Sequence, residues 1–438
     1  MGTSSRILLS TLLMILTPAL AAQENRIDIV RPDAPQLASF GDHDVGVQTL
    51  EVVDPNRVDI LNTPRGGDSV YYDRKLTLEI WYPAQLSDGQ SAGGHYHAIT
   101  RNPDITALLM GRAVRDAQPK STPTPTPYPL VIISHGYPGN RFLLSHLGEN
   151  LASKGYVVAS IDHTDSTYDD QQAFPSTLYN RPLDQRFVVD TMAALAEDSA
   201  SFLYGLLNAE TTAIVGYSMG GYGLVNNLGG GYSDDIVGSL LAPPNELLHQ
   251  HATGNPAYRD NLDSRIKAGV AVAPWGMNSG FWRNQDLVGI DVPTFYIAGS
   301  ADTVAGYDNG TRAIFENAVN SDRYLLTFKN AGHNAGAPYP LPVEILNSED
   351  KIGASHYTDP VWDTVRMNNI MDHFVTAYLD YQLKGNEERM TYLDLVPDGA
   401  DAVYSVRNGQ PGADHTYWKG FGAGTAVGLK LEHLQPGQ

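Results

Sequence analysis

The stretch Thr211–Gly223, TTAIVGYSMGGYG, carries the strongest indication of fold in the chain. Apolar and β-branched residues lead into Gly-Tyr-Ser-Met-Gly, and the residues that follow have the character of a helix. A serine at such a sharp strand-to-helix turn is held exposed at the edge of a sheet, and the flanking glycines relieve the crowding. Because the chain contains 42 glycines, the pentapeptide alone is weak support, and the rest of the sequence must decide whether Ser218 is reactive.

Strands and helices alternate along the chain from Leu130 onward. Short apolar runs that end in glycine or proline predict buried strands, and amphipathic stretches between them predict helices. The predicted strands are Leu130–Gly136, Tyr156–Asp162, Thr211–Ser218, Ile266–Pro274, Val292–Ser300 and Arg323–His333. The predicted helices are Arg141–Gly155, Asp184 to about Asn208, Met219–Gly229, Thr311–Val319 and Asp363–Leu383. This alternation predicts an α/β fold, with a mostly parallel sheet and helices on both faces.

The same pattern suggests a division of the chain. We expect residues 128–384 to form the core, residues 23–127 to add N-terminal strands and an extended connector, and residues 385–438 to form a C-terminal extension. Two insertions, 229–265 and 335–362, interrupt the core. We expect both to emerge near the carboxyl ends of strands, where open α/β sheets bind ligands. They are interpreted as cap or pocket-wall elements, with inert surface loops as the alternative.

Residues 1–22 have the pattern of a cleaved signal peptide. Arg6 precedes the apolar run Ile7–Leu20, and Ala19–Ala21 forms a small-x-small cleavage site. The run is shorter than the roughly 20 apolar residues that span a bilayer, so we expect a secreted or periplasmic protein without stable membrane insertion. A formal charge of −20 argues against a nucleic-acid partner. The absence of cysteine excludes disulfides, thiolate metal sites and a cysteine nucleophile.

Candidate partners for Ser218 occur later in the chain. A serine hydroxyl is a poor nucleophile until a base accepts its proton and donors stabilise the oxyanion. On this fold the residues are expected in the order serine, acid, histidine. Asp302 follows the predicted strand Val292–Ser300, and His333 lies in a glycine-flanked loop after the last strand. We predict Asp302 and His333 as acid and base, although Asp302 also fits a turn or helix cap and Asp308 is the alternative acid.

The other histidines are weaker candidates. His135 follows a strand and is expected to shape the loop that forms the second half of an oxyanion hole. His163 and Asp165 end another strand and fit a pocket rim and structural support equally well. The histidine pairs at 95–97 and 249–251 lack carboxylate or cysteine partners for a metal, and the G-x-G-x-x-G spacing is missing. We therefore expect neither a metal nor a cofactor.

Several stretches together resemble exported α/β-hydrolases. The resemblance runs from about Val45 to Lys384 and rests on LVIISHGYPGN, IVGYSMGGYG, VAVAPWG, VPTFYIAGSADTVA and NAGHNAG. These stretches are similar to dienelactone-hydrolase-like and platelet-activating-factor-acetylhydrolase-like proteins, and to the bacterial cutinase-type polyester hydrolases. The resemblance implies an α/β-hydrolase fold and a serine hydrolase that cleaves a small-molecule or polymeric carboxylic ester.

Matched by position, the resemblance also implies further roles. The backbone amides of Tyr137 and Met219 would form the oxyanion hole, and Trp275 would be an aromatic wall of the substrate pocket. The triad implied is again Ser218, Asp302 and His333. A peptidase or amidase with the same triad, and a non-catalytic binding protein on the same fold, remain the alternatives.

Overall fold

The computed structural model describes residues 24–121 and 126–438. The signal peptide predicted at residues 1–22 therefore lies outside the described residues, as does part of the predicted connector. Within the described ranges, no helix has the length and apolar character needed to cross a bilayer. The same ranges contain one eleven-stranded sheet and two small sheets of three and two strands.

Strands and helices are numbered here in chain order. The first eight strands are β1 (Asn25–Arg26), β2 (Asp44–Val58), β3 (Tyr71–Gln85), β4 (His95–Ile99), β5 (Thr106–Met110), β6 (Val114–Arg115), β7 (Gln118–Pro119) and β8 (Tyr128–Ser134). The others are β9 (Val157–Asp162), β10 (Leu207–Tyr217), β11 (Ile266–Val272), β12 (Thr294–Gly299), β13 (Arg323–Phe328), β14 (Val406–Arg407), β15 (Gln410–Pro411) and β16 (Leu429–Leu434). The helices are α1 (Ser145–Ser153), α2 (Phe174–Glu197), α3 (Met219–Asn227), α4 (Asp234–Val237), α5 (Pro256–Asp260), α6 (Arg312–Asn317), α7 (Val343–Leu346) and α8 (Thr364–Lys384).

The main sheet is parallel at its centre and antiparallel towards both edges, except that the two-residue edge strand β6 pairs in parallel with β2. Its order is β16-β13-β12-β11-β10-β8-β9-β3-β2-β6, with β7 paired to β3. The neighbours from β9 to β13 are all parallel. Strands β2 and β3 are antiparallel, and so are β13 and β16. The predicted, mostly parallel sheet is confirmed, and strand β16 from the C-terminal extension forms one antiparallel edge.

Helices cover both faces of the sheet and create two apolar cores. In β8, Val131 and Ile133 belong to one core while Leu130 and Ile132 belong to the other, because successive side chains of a strand point to opposite faces. Helices α1 and α8 pack into the first core, and α2, α3 and α6 pack into the second. Burial on both faces explains why these strands read as continuous apolar runs.

The predicted bounds of the long helix before β10 are wrong at both ends. Helix α2 begins at Phe174, ten residues earlier than predicted, and ends at Glu197, after which turns lead into β10 at Leu207. It continues through Pro182, which has no N–H to donate within the helix. The carbonyl of Leu178 accepts a hydrogen bond from the hydroxyl of Tyr222 at 3.1 Å instead, so a proline that usually ends a helix is accommodated here.

The two insertions lie at different places relative to the sheet. Segment 335–362 follows β13 and therefore emerges at the carboxyl edge, as predicted. Segment 229–265 follows α3 and precedes β11, so the chain enters and leaves it on the amino side of the sheet. It packs against the loop before β3, where the guanidinium of Arg65 donates to the carbonyl of Ala242 at 2.8 Å. Its predicted position at the carboxyl edge is wrong, because a helix returns the chain to the opposite edge.

Candidate active site

Ser218 occupies the turn between β10 and α3 in a strained conformation. Its φ of 52° and ψ of −111° lie in a region that non-glycine residues rarely adopt. Its N–H donates to the carbonyl of Val272 at 2.9 Å, and its own carbonyl accepts from the N–H of Trp275 at 3.1 Å. Strain of this kind costs about 1–3 kcal/mol and persists where the surroundings hold it. The neighbouring strand β11 provides that restraint.

The glycines on either side of Ser218 are required by close backbone approaches. A Cβ atom on Gly216 would lie 2.4 Å from the carbonyl oxygen of Gly220, and one on Gly220 would lie 1.9 Å from that of Ser134. Both distances are shorter than van der Waals contact, so any side chain there would push α3 away from the strands. The spacing of the pentapeptide is thus explained by packing at the turn.

The structure brings the three predicted side chains together. Nε2 of His333 lies 3.0 Å from Oγ of Ser218, and Nδ1 of His333 lies 2.8 Å from Oδ2 of Asp302. The second carboxylate oxygen of Asp302 accepts from the amides of Val304 and Ala305 at 2.8 and 3.0 Å. The alternative acid, Asp308, does not occupy this position, because Asp302 already fills the hydrogen-bonding site on His333.

Asp302 is held as a carboxylate. Burial raises its pKa, but the hydrogen bond and charge of His333 and the amides of Val304 and Ala305 outweigh burial, and the net pKa lies below the ordinary value. Tyr217 packs against the imidazole, with ring centroids 5.2 Å apart, and its hydroxyl donates to Asn334 at 3.0 Å. The imidazole is therefore oriented on one side by an anion and supported on one face by an aromatic ring.

Two backbone amides near Ser218 have no acceptor among residues 24–121 and 126–438. Within the described residues, neither the N–H of Met219, at the start of α3, nor the N–H of Tyr137 donates to another protein group. The loop that carries Tyr137 is fixed by Arg181 of α2, which donates to the carbonyls of His135 and Gly136. Free donors at a helix N-terminus favour a bound or developing negative charge.

A cavity of about 420 Å³ lies over Ser218 and His333. The residues that line it are Arg101, 137–138, 217–218, 303–304, 332–334, 353, 355–356 and 358–360. Segment 335–362 thus forms one wall, as expected, whereas segment 229–265 contributes none of the lining residues. Trp275 is not among them either. Its ring packs edge-on against Phe174 at 5.4 Å and is tilted against Phe281 at 5.3 Å. Since Phe174 in turn packs against Tyr137, Trp275 supports the aromatic layer behind Tyr137.

His163 and Asp165 belong to a buried polar network beneath the loop at residues 135–137. Nδ1 of His163 lies 3.0 Å from Asp184, whose carboxylate also accepts from Arg74 at 2.8 Å. Asp165 accepts from Arg74 at 3.0 Å and from Ser176 at 2.6 Å. These side chains are almost fully buried. The network decides between the two interpretations of His163 and Asp165 in favour of structural support.

Sequence reasoning missed three residues at this site, namely Arg101, Tyr217 and Arg181. Tyr217 stands within the quoted motif, but the pattern assigned no role to the position before the serine. Arg101 and Arg181 lie in segments without a predicted element, and only the folded chain brings them near Ser218. Within the described residues, no group of three or more histidine, cysteine and acidic side chains is arranged to hold a metal.

The parallel sheet, the serine at the strand-to-helix turn and the order of the three side chains define an α/β-hydrolase fold. A solved structure supports the fold: a ferulic acid esterase from Streptomyces cinnamoneus aligns with a TM-score of 0.55 at 22% identity. The alignment covers 81% of this chain and 94% of that one.

Sequence comparisons agree with the resemblance seen in the motifs. The model of the family "Platelet-activating factor acetylhydrolase, isoform II" matches residues 71–181. Cutinase est1 from Thermobifida alba is 27% identical over 209 residues, which is 48% of this chain and 54% of the relative. The platelet-activating factor acetylhydrolase of Cavia porcellus is 28% identical over 112 residues, or 23% of this chain and 26% of the relative. The chain spans about half the length of the cutinases that it matches, and the resemblance to both groups is confirmed.

Proposed function

We propose that the protein is a serine hydrolase that cleaves carboxylic esters. The observation that carries the proposal is the continuous hydrogen-bonded chain from Ser218 through His333 to Asp302 at the floor of the cavity. The fold supports it, and so does the similarity to cutinases and to an acetylhydrolase. Since these relatives are named for ester cleavage, they favour an ester over an amide substrate.

In the proposed mechanism, Oγ of Ser218 attacks the ester carbonyl while Nε2 of His333 accepts the hydroxyl proton. The carboxylate of Asp302 orients the imidazole and stabilises the imidazolium that forms. His333 then returns the proton to the leaving alcohol, and the acyl group remains on Ser218. Water, deprotonated by the same imidazole, attacks the acyl-enzyme, and His333 returns that proton to Oγ of Ser218 as the acid leaves. The imidazole of His333, which moves the protons in each step, lies within hydrogen-bonding distance of both Ser218 and Asp302.

The amides of Met219 and Tyr137 are proposed to hold the oxyanion. Both N–H groups lack a protein acceptor in the described residues, and the first belongs to the N-terminal turn of α3. Fixed donors of this kind stabilise the charge that develops in the transition state without reorganising. Arg181, by fixing the carbonyls of residues 135 and 136, keeps the second donor in place.

Export is part of the proposal. Residues 1–22 keep the signal-peptide pattern described above, and we propose that the protein acts outside the cytoplasm, in the periplasm or in the medium. A fold that contains no cysteine does not depend on the redox state of that compartment.

The proposal predicts that Ser218→Ala abolishes hydrolysis of 4-nitrophenyl acetate and labelling by a fluorophosphonate. The variant removes the attacking oxygen but leaves the fold intact, which circular dichroism checks. Ser233→Ala, at a serine that only caps α4, is the matched control and should retain both signals. Turnover by Ser218→Ala at the wild-type rate would refute the proposed nucleophile, and cleavage of the matched anilide as fast as the ester would favour an amidase.

A further inference from the structure

One cation lines the proposed catalytic cavity without belonging to the triad. Arg101 follows β4 in the turn of the β4–β5 hairpin, whose ends are joined by the N–H of Thr100 and the carbonyl of Ile105 at 2.9 Å. The hairpin is tied to the loop after β8, because the side-chain amide of Asn140 donates to the carbonyl of Ile99 at 2.7 Å. A part of the chain remote in sequence from Ser218 thus delivers Arg101 to the same cavity.

Segment 335–362 holds Arg101 in position. The N–H of Arg101 donates to the hydroxyl of Tyr357 at 2.9 Å. Gly353 lies so close that a Cβ atom on it would be 2.6 Å from Cβ and 2.8 Å from Cγ of Arg101. The backbone and the start of the side chain are therefore constrained before any ligand arrives.

Among residues 24–121 and 126–438, no group pairs with Nη1 of the Arg101 guanidinium. This nitrogen is buried and has no acceptor within hydrogen-bonding distance. Burying a charged donor without an acceptor is costly, and such groups in native proteins call for an explanation. The fully buried arginines among the described residues all have acceptors: Arg57 and Arg74 donate to carboxylates, and Arg181 and Arg323 donate to backbone carbonyls.

Among the described residues that line the cavity, no other ionisable group competes with Arg101 as a cation that could bind a ligand. Among the described residues that line it, Arg101 is the single permanent cation. His356 stays neutral, because burial and the nearby charges of Arg101 and His333 lower its pKa to about 3. Asp359 faces the same cavity, but its oxygens accept from the backbone amides of Gly332, Val361 and Trp362 at 2.7–2.9 Å. Asp302 is occupied by His333.

We propose that Arg101 recognises an oxyanion on the substrate, so that the preferred esters carry a carboxylate or phosphate away from the scissile bond. The inference rests on the proposed function, since it assigns the substrate class of the same cavity. A guanidinium is always charged and its planar donors match the geometry of both anions. Because the backbone and the first carbons of the side chain are held in advance, less conformational entropy is lost when the anion binds.

The test compares esters that differ only in charge. For the carboxylate arm, 4-nitrophenyl hemiglutarate is paired with 4-nitrophenyl pentanoate; for the phosphate arm, acetylglycerol 3-phosphate is paired with monoacetylglycerol. We expect wild-type kcat/KM to favour the anionic member of at least one pair. In Arg101→Gln the ratio of anionic to neutral kcat/KM should fall about 10- to 100-fold, as expected for loss of a charged hydrogen bond, and Arg101→Lys should recover part of it.

Arg112→Gln is the matched control. Arg112 lies just beyond β5 on the same small sheet, is half exposed and is absent from the cavity lining, so its loss should leave the ratio unchanged. Glutarate or inorganic phosphate should also inhibit hydrolysis of the neutral ester by the wild type more strongly than by Arg101→Gln. A wild type without preference in both pairs, or an equal fall for both members of a pair, would overturn the assignment.

The proposal of a serine hydrolase and the proposal of an anion site at Arg101 are refuted by different results. Hydrolysis of the neutral ester by wild type and its loss in Ser218→Ala test the serine hydrolase alone. If that result holds while the charge ratio is flat, the anion site is refuted and the hydrolase stands. If Ser218→Ala remains active, the anion site loses its basis.

Discussion

At the scale of single residues, the site depends on how completely each side chain is restrained. Asp302 uses both carboxylate oxygens, one on His333 and one on two backbone amides. The imidazole has the ring of Tyr217 against it. An imidazole held in one orientation and one tautomer is what a general base requires. The neighbourhood of Asp302 therefore matters to the rate as much as its charge does.

Asp302→Asn is predicted to lower kcat for a neutral ester by about 10³- to 10⁴-fold, because an amide favours the wrong tautomer of His333. The matched variant is Asp308→Asn, which changes the alternative acid six residues away and should alter kcat less than about twofold. Steady-state kinetics with 4-nitrophenyl acetate measures both. A larger loss in Asp308→Asn than in Asp302→Asn would reverse the assignment of the acid.

At the scale of elements, the strands could be predicted from the sequence far better than the edge of the sheet at which each insertion emerges. Buried parallel strands read as apolar runs because both faces are covered, and each predicted core strand overlaps an observed one. The sequence does not reveal the start of α2, because a proline such as Pro182 usually marks a helix boundary. The carbonyl of Leu178, which Pro182 leaves without a donor, accepts from the hydroxyl of Tyr222. No local sequence pattern contains that contact. Strand β16 lies in the C-terminal extension, and its pairing with β13 depends on the whole fold.

In the candidate site, too, some residues could be predicted from the sequence and others could not. Ser218, Asp302 and His333 stand at strand ends with recognisable flanks, so their proximity could be predicted. Arg101 stands in a hairpin whose place is set by long-range contacts to Asn140 and Tyr357. Such contacts connect distant parts of the chain and leave no periodic signal, which is why the cation was missed.

The different positions of the two insertions lead to a paired prediction. Ser355→Trp adds an indole at an exposed residue that lines the cavity. Because the indole narrows the cavity, KM for 4-nitrophenyl octanoate should rise about tenfold. Leu240→Trp, at a position 92% exposed in segment 229–265, is the control and should leave KM unchanged. Comparing acetate with octanoate separates a narrowed pocket from general damage. Equal KM changes in the two variants would contradict the placement of the cavity wall.

At the scale of the whole molecule, buried histidines govern the response to acid. Burial lowers the pKa of five of them: to about 3 for His163, His251, His356 and His373, and well below the ordinary 6.5 for His135. Each is neutral in the folded protein and takes up a proton on unfolding between pH 3 and 6.5. In that window the unfolded state binds more protons, so the free energy of unfolding falls as pH is lowered.

The free energy of unfolding should therefore be nearly constant just above pH 6.5 and fall below it, by up to about 1.4 kcal/mol per pH unit for each histidine. Urea titrations at pH 5, 6.5 and 7.5 measure this slope. His373→Gln should reduce the slope, while His95→Gln, at an exposed position, should not. An unfolding midpoint that is the same at pH 5 and pH 7.5 would show that these histidines are not buried as neutral groups.

The left-handed backbone conformation of Ser218 has a consequence for the evolution of this protein. Glycine adopts that conformation without strain, so a serine at this position persists only while selection for its hydroxyl outweighs the loss of stability. In a descendant that kept the fold but lost catalytic activity, a mutation to glycine would relieve the backbone strain at this position. The residue aligned with Ser218 is thus a marker, readable from sequence alone, of whether a descendant of this protein is still under selection as a catalyst.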